Sequence, residues 1–423
     1  MDDSSCKMYL AILKEELVPA LGCTEPIAIA YAAAKAREVL GAFPKQISVF
    51  CSGNIIKNVK SVVVPNTGGL KGIEVSALAG AVGGNAAYGM EVLSCLQETH
   101  RQKIAQLLQE NICRVLPLTT GRTLHILVEA LTGRDTVTVE VQDFHTNIVA
   151  IIKNGQAVYT QTETAQHMAA LTDRSVLNVA DILAYANTVS LAGVKPLLEQ
   201  QIANNMAIAR EGLNGRYGVD IGNTLLYSGK DSVFNKMKAY TAAASEARMG
   251  GCELPVITNS GSGNQGIASS VPVIVYAEEN GIAYDRLLRA LVLSNLLTIH
   301  QKTFIGRLSA FCGVVSASCA SGAAITYLAG GTLEQVKMTI TNTLANVSGI
   351  VCDGAKPSCG IKVAASLDAA IMAHLLAMHN RAYLPGDGLV KTDVEDTISS
   401  VGRMARDGMK ETDAQILEIM LEC

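Results

Sequence analysis

The spacing of hydrophobic residues changes once along the chain and divides it into two regions. Before about residue 173, short runs of alternating or β-branched residues predict β-strands. A hairpin turn at Asn154-Gly155 precedes the last of them. The predicted strands cover residues 46–51, 61–65, 123–131, 136–141, 148–152 and 157–160.

After this point apolar residues recur at three- and four-residue intervals, which is typical of helices. The predicted helices cover residues 176–189, 196–212, 232–249, 283–302, 333–347 and 361–378. Two more are predicted at 4–18 and 25–40, the second with Thr24 as N-cap and Pro26 in its first turn. The pattern therefore predicts an α+β protein. We expect two domains, a mixed α/β N-terminal region at 1–172 and a mainly helical domain at 173–423. The N-terminal helices of the first are expected to pack on the second.

Composition adds detail to this picture. Of the 423 residues, 49% are apolar, yet only 4% are aromatic and none is Trp, which favours close-packed helices with small aliphatic side chains. A chain of this length usually forms two domains. The net charge of -4 gives no basic footprint for nucleic acid, so we expect a small-molecule partner. The alanine-rich helices make a homodimer reasonable.

One segment, 308–333, has no charged residue and is long enough to cross a bilayer. Its serines, glycines and cysteines lower its hydrophobicity, and no Lys/Arg asymmetry flanks it, so a buried helix and no membrane association are predicted. The N-terminus, Met-Asp-Asp-Ser-Ser-Cys, lacks the features of a secretory signal. We therefore expect a cytoplasmic protein, in which cysteines serve as metal ligands, catalytic groups or buried side chains.

Three of the eleven cysteines have a spacing that suits an inorganic cluster. Cys352 and Cys359 bracket a loop that contains Gly and Pro, and Cys312 lies about forty residues upstream. Three thiolates would leave one iron of a cubane without a protein ligand. Cys319, seven residues after Cys312 and on roughly the same helix face, is an alternative ligand. A structural zinc site would need Cys319 or Cys423 as a fourth ligand.

A fourth cysteine, Cys23, lies in the string Gly22-Cys23-Thr24-Glu25-Pro26, just before a predicted helix. A helix N-terminus favours an anion and lowers a thiol's pKa. Cys23 could then be a catalytic base, a displaceable cluster ligand or a structural cysteine. Glu25 could hold a substrate amine or interact with the helix dipole.

A polar stretch at 258–266, Thr-Asn-Ser-Gly-Ser-Gly-Asn-Gln-Gly, interrupts the helical region. It is rich in backbone donors, and a helix beginning at Gln265 could hold a carboxylate. It matches no phosphate-loop or dinucleotide motif, and a simple interhelical loop is the alternative. The candidate substrate-binding residues are Asn259, Ser260, Gly261, Ser262, Gly263 and Asn264.

These motifs, together with Ser52-Gly53-Asn54, resemble the L-cysteine desulfidase family, which is related to the α chain of iron-sulfur L-serine dehydratases. The resemblance covers essentially the whole chain. It implies an oxygen-sensitive 4Fe-4S cluster and the conversion of L-cysteine to pyruvate, ammonia and sulfide. It further implies that Cys312, Cys352 and Cys359 are the cluster ligands and that Cys23 is an additional active-site cysteine.

Three other functions compete with this one. An iron-sulfur L-serine dehydratase would expel hydroxide instead of sulfide, and the sequence does not distinguish the two. A non-catalytic protein could keep the cluster and only bind an amino acid. A pyridoxal-phosphate enzyme would need a Schiff-base lysine in a phosphate-binding setting, which the sequence around its lysines does not offer, and would leave the clustered cysteines unused.

Three further residues lie in segments that could approach the site. His300 and Lys302 fall on the helix before Cys312, where we expect a core histidine and a lysine that extends towards solvent. Residues 414–423 are predicted to form an amphipathic helix, from which Cys423 could reach the open iron, as a C-terminal cysteine can in related serine dehydratases.

Overall fold

The computed structural model describes residues 3–161, 171–215, 217–228 and 232–422. It confirms the α+β class, with a mixed sheet near the N-terminus and a helical C-terminal part. The described strands are β1 (Pro19–Leu21), β2 (Gln46–Cys51), β3 (Cys113–Pro117), β4 (His125–Leu131), β5 (Thr136–Gln142), β6 (Ile148–Lys153), β7 (Gln156–Thr160) and β8 (Pro255–Ile257).

Six of these strands form one sheet in the order β3-β2-β4-β5-β6-β7. Only the β2–β3 pair is parallel, and the other pairs are antiparallel. Alternate residues of the central strands are buried, as where Val128 of β4 pairs with Val139 of β5. One face of the sheet is therefore apolar and is covered by helices.

The helices account for most of the rest of the described chain. They are α1 (Asp3–Glu16), α2 (Thr24–Leu40), α3 (Gly53–Val59), α4 (Ile73–Gly83), α5 (Glu98–Gln109), α6 (Val179–Thr188), α7 (Leu191–Gly212), α8 (Ile221–Ser228), α9 (Val233–Met249), α10 (Gly263–Glu279), α11 (Tyr284–Ile305), α12 (Val314–Leu328), α13 (Leu333–Asn346), α14 (Cys359–Met378), α15 (Val394–Arg403) and α16 (Lys410–Leu421). A 3₁₀-helix covers Ala86–Glu91 and a π-helical turn covers Met404–Gly408.

Two large hydrophobic cores hold these elements together. The first joins α2, α4 and the buried face of the sheet. The second joins the C-terminal helices with α1, whose Tyr9, Ile12 and Leu13 are buried among them. The first helix thus packs on the helical part, while the domain division at 172/173 stays a prediction.

The sequence pattern was wrong or silent at several strands. Residues 61–65 do not form a strand; in that segment Val63 makes only an isolated bridge to Lys71, because a turn follows α3 directly. The pattern missed β1, β3 and β8. Strands β1 and β8 have three residues each, too few to show a period of two, and β3 lies at an exposed sheet edge.

The short ladder between β1 and β8 positions the site. These strands pair antiparallel, with Pro19 opposite Ile257 and Leu21 opposite Pro255. Cys23 follows β1 by two residues, and the polar stretch begins directly after β8. Because the ladder aligns these ends, segments more than 230 positions apart in the sequence meet at one place.

The uncharged segment 308–333 contains the helix α12, which is almost entirely buried. Within the described residues, one helix, Cys359–Met378, is long and apolar enough to cross a membrane. The protein buries 56% of its apolar window, as is common for a core helix.

Acid should destabilise the protein through His374 on α14. This side chain is buried, and its Nδ1 lies 2.9 Å from Oγ1 of Thr326. Burial lowers the pKa of His374 from 6.5 to about 4. Since only the unfolded state binds the proton between these values, stability falls as pH drops from 6.5 to 4, by about 3 kcal/mol.

Urea unfolding across this pH range measures the effect. The His374→Leu variant should show a shallower loss of stability towards pH 4 than the wild type. His379→Leu, which alters an exposed histidine just after the same helix, is the matched control and should keep the wild-type slope. Equal slopes in all three proteins would contradict the assignment.

Candidate active site and cluster-binding pocket

One pocket brings together all four cysteines singled out from the sequence. It lies where the start of α2, the polar stretch after β8, and the segments preceding α12 and α14 converge. Cys23, Cys312, Cys352 and Cys359 all line it. The sequence-predicted cluster residues therefore share one site with Cys23 and with part of the polar stretch.

Cys312 and Cys352 come from two segments that run antiparallel past each other. The backbone N–H of Cys312 donates to the carbonyl of Ile350 at 2.8 Å, and that of Cys352 donates to the carbonyl of Ala310 at 2.7 Å. These bonds fix the two cysteines side by side. Cys359 is the first residue of α14, so the helix start orients the third thiol.

The loop between Cys352 and Cys359 turns sharply at Gly354. Its φ is +91°, which L side chains rarely adopt, and a Cβ there would lie 2.2 Å from the carbonyl oxygen of Lys57. Only glycine fits, because the loop packs directly on the backbone of α3. The loop that carries two of the three cysteines is thus anchored to the N-terminal region.

The protonation of the three thiols is uneven. A hydrogen bond with Cys352 and burial raise the pKa of Cys312. The same hydrogen bond, opposed by burial and aided by the charge of Lys57, lowers the pKa of Cys352 to about 6. Burial raises the pKa of Cys359. Cys352 is therefore the more acidic thiol of the pair.

Cysteine thiolates are the ligands that iron-sulfur clusters use, so the three thiols that line this pocket fit such a cluster. In the described residues no group of three His, Cys, Asp or Glu side chains is arranged to hold a single metal ion. Lys57 and Lys362 supply positive charge that offsets the thiolates.

The alternative ligand Cys319 does not reach the pocket. Cys312 precedes α12 instead of lying on it, so the expectation that the two cysteines share a helix face is wrong. Cys319 is fully buried, and its Sγ lies 3.9 Å from the carbonyl oxygen of Ile340 on α13. Cys423 lies outside the described residues.

Cys23 and Glu25 form a hydrogen-bonded pair at the start of α2. The N-cap residue of α2 is Cys23, so the prediction of Thr24 as N-cap is wrong. The hydroxyl of Thr24 donates to Oε2 of Glu25 at 2.9 Å. Sγ of Cys23 donates to the same oxygen at 3.1 Å. The amide of Asn58 donates to Oε1 at 3.1 Å. Three donors therefore hold the Glu25 carboxylate in the pocket.

The expectation of a lowered pKa at Cys23 is wrong. Burial and the negative charge of Glu25 raise the pKa of Cys23 well above 9, against the weaker effect of Arg248. Burial alone would raise the pKa of Glu25, but His145, Cys23 and Thr24 together lower it to about 2. The pair therefore consists of a neutral thiol and an ionised carboxylate.

The polar stretch divides into pocket residues and scaffold residues. Ser260, Gly261, Ser262 and Asn264 line the pocket. Asn259 and Gly263 do not line it. The amide of Asn259 instead donates to the carbonyl oxygen of Asn295 at 3.2 Å and to Oδ1 of the same residue at 3.0 Å. Helix α10 begins at Gly263, two residues before the predicted start, and its N-terminus faces the site.

Four basic residues that the sequence analysis did not assign to the site also line the pocket: His145, Arg248, Lys302 and Arg307. His145 comes from the β5–β6 connection, and its Nε2 lies 4.0 Å from Oε1 of Glu25. Arg307 is paired with Glu16 at 2.8 Å and lies over the ring of Phe144. An isolated His or Arg in the sequence carries no signal of such a role.

Lys302 corrects one expectation and His300 confirms another. Lys302 does not extend to solvent; it is 5% exposed, and burial lowers its pKa to about 8 against the charges of Cys352 and Cys312. His300 is a core histidine whose Nε2 lies 2.6 Å from Oε2 of Glu395.

The helix α16 packs on α3 through Leu417 and the ion pair between Lys57 and Asp413.

The fold and the pocket define a protein that can hold a cysteine-ligated cluster beside a polar cavity for an amino acid. Comparison with known families agrees with this class. Residues 87–418 match the family model described as serine dehydratase alpha chain, and the chain belongs to that family. The family supports a lyase of the iron-sulfur amino acid dehydratase type with a small-molecule substrate.

Full-length relatives carry a different name. The chain is 50% identical to a UPF0597 protein of Treponema denticola, over 100% of this chain and 99% of the relative. It is 51% identical to a UPF0597 protein of Lachnoclostridium phytofermentans, over 98% and 99%. A UPF0597 protein of Finegoldia magna is 48% identical, over 98% and 100%.

Proposed function

We propose that the protein is an iron-sulfur-dependent L-cysteine desulfidase, which converts L-cysteine to pyruvate, ammonia and hydrogen sulfide. A 4Fe-4S cluster would be held by Cys312, Cys352 and Cys359. The observation that carries the proposal is the meeting of these three thiols with Cys23, Glu25 and the polar stretch in one pocket. The proposed setting is the cytoplasm, and a homodimer stays a prediction.

The pocket residues match the needs of a β-elimination. When bound, the cluster supplies a Lewis-acidic iron for the leaving group. Glu25 is ionised and buried, so it binds the substrate ammonium. Ser260, Ser262 and Asn264, with the N-terminus of α10, bind the carboxylate.

Cys23 donates the proton that the leaving sulfur takes up. Its role as the base for the α-proton rested on a thiolate at the helix N-terminus, whereas the residue is a neutral thiol that donates to Glu25. A thiol can give its proton to the departing sulfide. As the Cβ–S bond breaks, its electron pair leaves on sulfur, which takes the Cys23 proton, and the α-proton passes to the Cys23 sulfur, so that the thiol is restored. The aminoacrylate that remains tautomerises and takes up water to give pyruvate and ammonia.

The family description favours L-serine as a second candidate substrate, with hydroxide as the leaving group. Competition between the two amino acids tests the choice. Anaerobically reconstituted protein should show a kcat/KM for L-cysteine at least tenfold above that for L-serine. A higher value for L-serine would assign the protein to the dehydratases, and a loaded cluster without turnover of either would favour a binding protein.

Glu25→Gln should raise the KM for the amino-acid substrate by about 30-fold, because a charge-assisted hydrogen bond to the ammonium contributes about 2 kcal/mol. Steady-state kinetics with cluster content measured in parallel give the result. Glu38→Gln, on the exposed end of the same helix, is the matched control and should keep the wild-type KM. An unchanged KM in Glu25→Gln would leave Glu25 only a helix-start role.

A further inference from the structure

Arg248, near the end of α9, is a buried cation that forms no ion pair with the residues that the structure describes. Arg248 is only 2% exposed, and its Nε has no hydrogen-bond partner among the described residues. Across the same residues, no carboxylate oxygen lies within 4.0 Å of its guanidinium. A buried charge is costly unless it is paired, so this arginine is built to meet an anion.

The surroundings of Arg248 aim it at the polar stretch. Its Nη1 donates to Oδ1 of Asn264 at 3.1 Å, and both residues line the pocket. A Cβ at position 263 would lie 2.3 Å from Nε, so the glycine there leaves the space that the guanidinium occupies. Gln265, in the first turn of α10, also lines the pocket, and its buried Oε1 likewise lacks a hydrogen-bond partner in the described chain.

The other cations of the pocket have different surroundings. Arg307 already has a carboxylate, that of Glu16, at 2.8 Å. The charge of Lys302 interacts with Cys352 and Cys312. His145 lies beside Glu25. Arg248 is therefore the cation of the described pocket that combines a position beside the polar stretch with an uncompensated charge.

We infer that Arg248 is the charge partner of the substrate's carboxylate and restricts the site to amino acids with a free carboxylate group. The inference rests on the proposed function and goes beyond it by naming the side chain that binds the negative charge of the substrate carboxylate. The guanidinium presents several donors in a fixed plane and suits a carboxylate better than a lysine would. Asn264 holds that plane through the bond to Nη1.

The test compares acids with their amides on anaerobically reconstituted holoenzyme. The probes are L-cysteine and L-serine against L-cysteinamide and L-serinamide, with affinity measured by calorimetry and turnover measured in parallel. Wild-type protein should bind the acids about 100-fold more tightly than the amides, as expected for a charge-assisted contact in a buried site. Arg248→Met should lose most of this discrimination, and Arg248→Lys should retain part of it. Arg134→Gln, at an exposed turn position, is the control and should match the wild type.

Thermal unfolding separates this role from a structural one. Removing an unpaired buried charge should leave the melting temperature of Arg248→Met unchanged or higher, whereas loss of a structural contact would lower it. Full acid-over-amide discrimination in a folded Arg248→Met would overturn the inference. If the wild type binds the acids but turns over neither, the proposed reaction fails, while the acid-over-amide ratio still decides the role of Arg248.

Discussion

Replacing Cys352 with alanine should abolish both the cluster and the elimination of sulfide. Cys352 lies beside Cys312, and its pKa of about 6 makes it the readiest thiolate of the three. With only two thiolates left, a cubane has two irons without protein ligands, so reconstitution should fail. Iron should drop from about four per chain to near the background.

The measurement is anaerobic reconstitution followed by iron and acid-labile sulfide analysis, with pyruvate formation from L-cysteine assayed on the same samples. Two controls bracket the result. Cys95→Ala removes an exposed cysteine, and Cys319→Ala removes the buried cysteine that faces Ile340 instead of the pocket. Both should keep the cluster. A full cluster in Cys352→Ala, or its loss in Cys319→Ala, would contradict the ligand set.

Replacing Cys23 with alanine should separate catalysis from cluster binding. Iron and sulfide contents should stay at the wild-type values, because Cys23 is not among the proposed ligands. The kcat for L-cysteine should fall about 10²- to 10³-fold, since a positioned proton donor contributes on this order. Cys23→Ser keeps a hydrogen-bond donor to Glu25 but is a much weaker acid, and should also be impaired.

The pattern of losses identifies the role of Cys23. Reduced iron content in Cys23→Ala would make it a fourth cluster ligand. A wild-type kcat would make it a structural N-cap residue. Only an intact cluster with slow turnover supports the proton-donor role. Kinetics and metal analysis on one preparation keep these outcomes apart.

The long helices of the C-terminal part were predictable from their period, whereas the short helices α8 and α15 were not predicted. A period of three to four residues is visible over the 22 residues of α11 or the 20 of α14. Strands β1 and β8 have three residues each, so alternation could not reveal them. Their ladder joins Cys23 to the polar stretch, and such long-range pairing leaves no local signal in one sequence.

The cysteines of the site were predictable and its basic residues were not. Cys312, Cys352 and Cys359 belong to a recognisable set, and Cys23 lies in an unusual string. Arg248 looks like an ordinary last-turn cation at the end of α9. Only the three-dimensional contact with Asn264 shows that it faces the pocket. The raised pKa of Cys23 was not predictable for the same reason, since the sequence alone cannot show burial beside an ionised Glu25.

The most direct test of the central claim is activity against cluster content in a series of partially reconstituted preparations. Each sample would be assayed anaerobically for iron, and for sulfide and pyruvate formed from L-cysteine. We expect one sulfide per pyruvate and a rate that rises in proportion to the loaded cluster. Turnover that does not depend on iron, or a fully loaded protein that forms no sulfide, would contradict it.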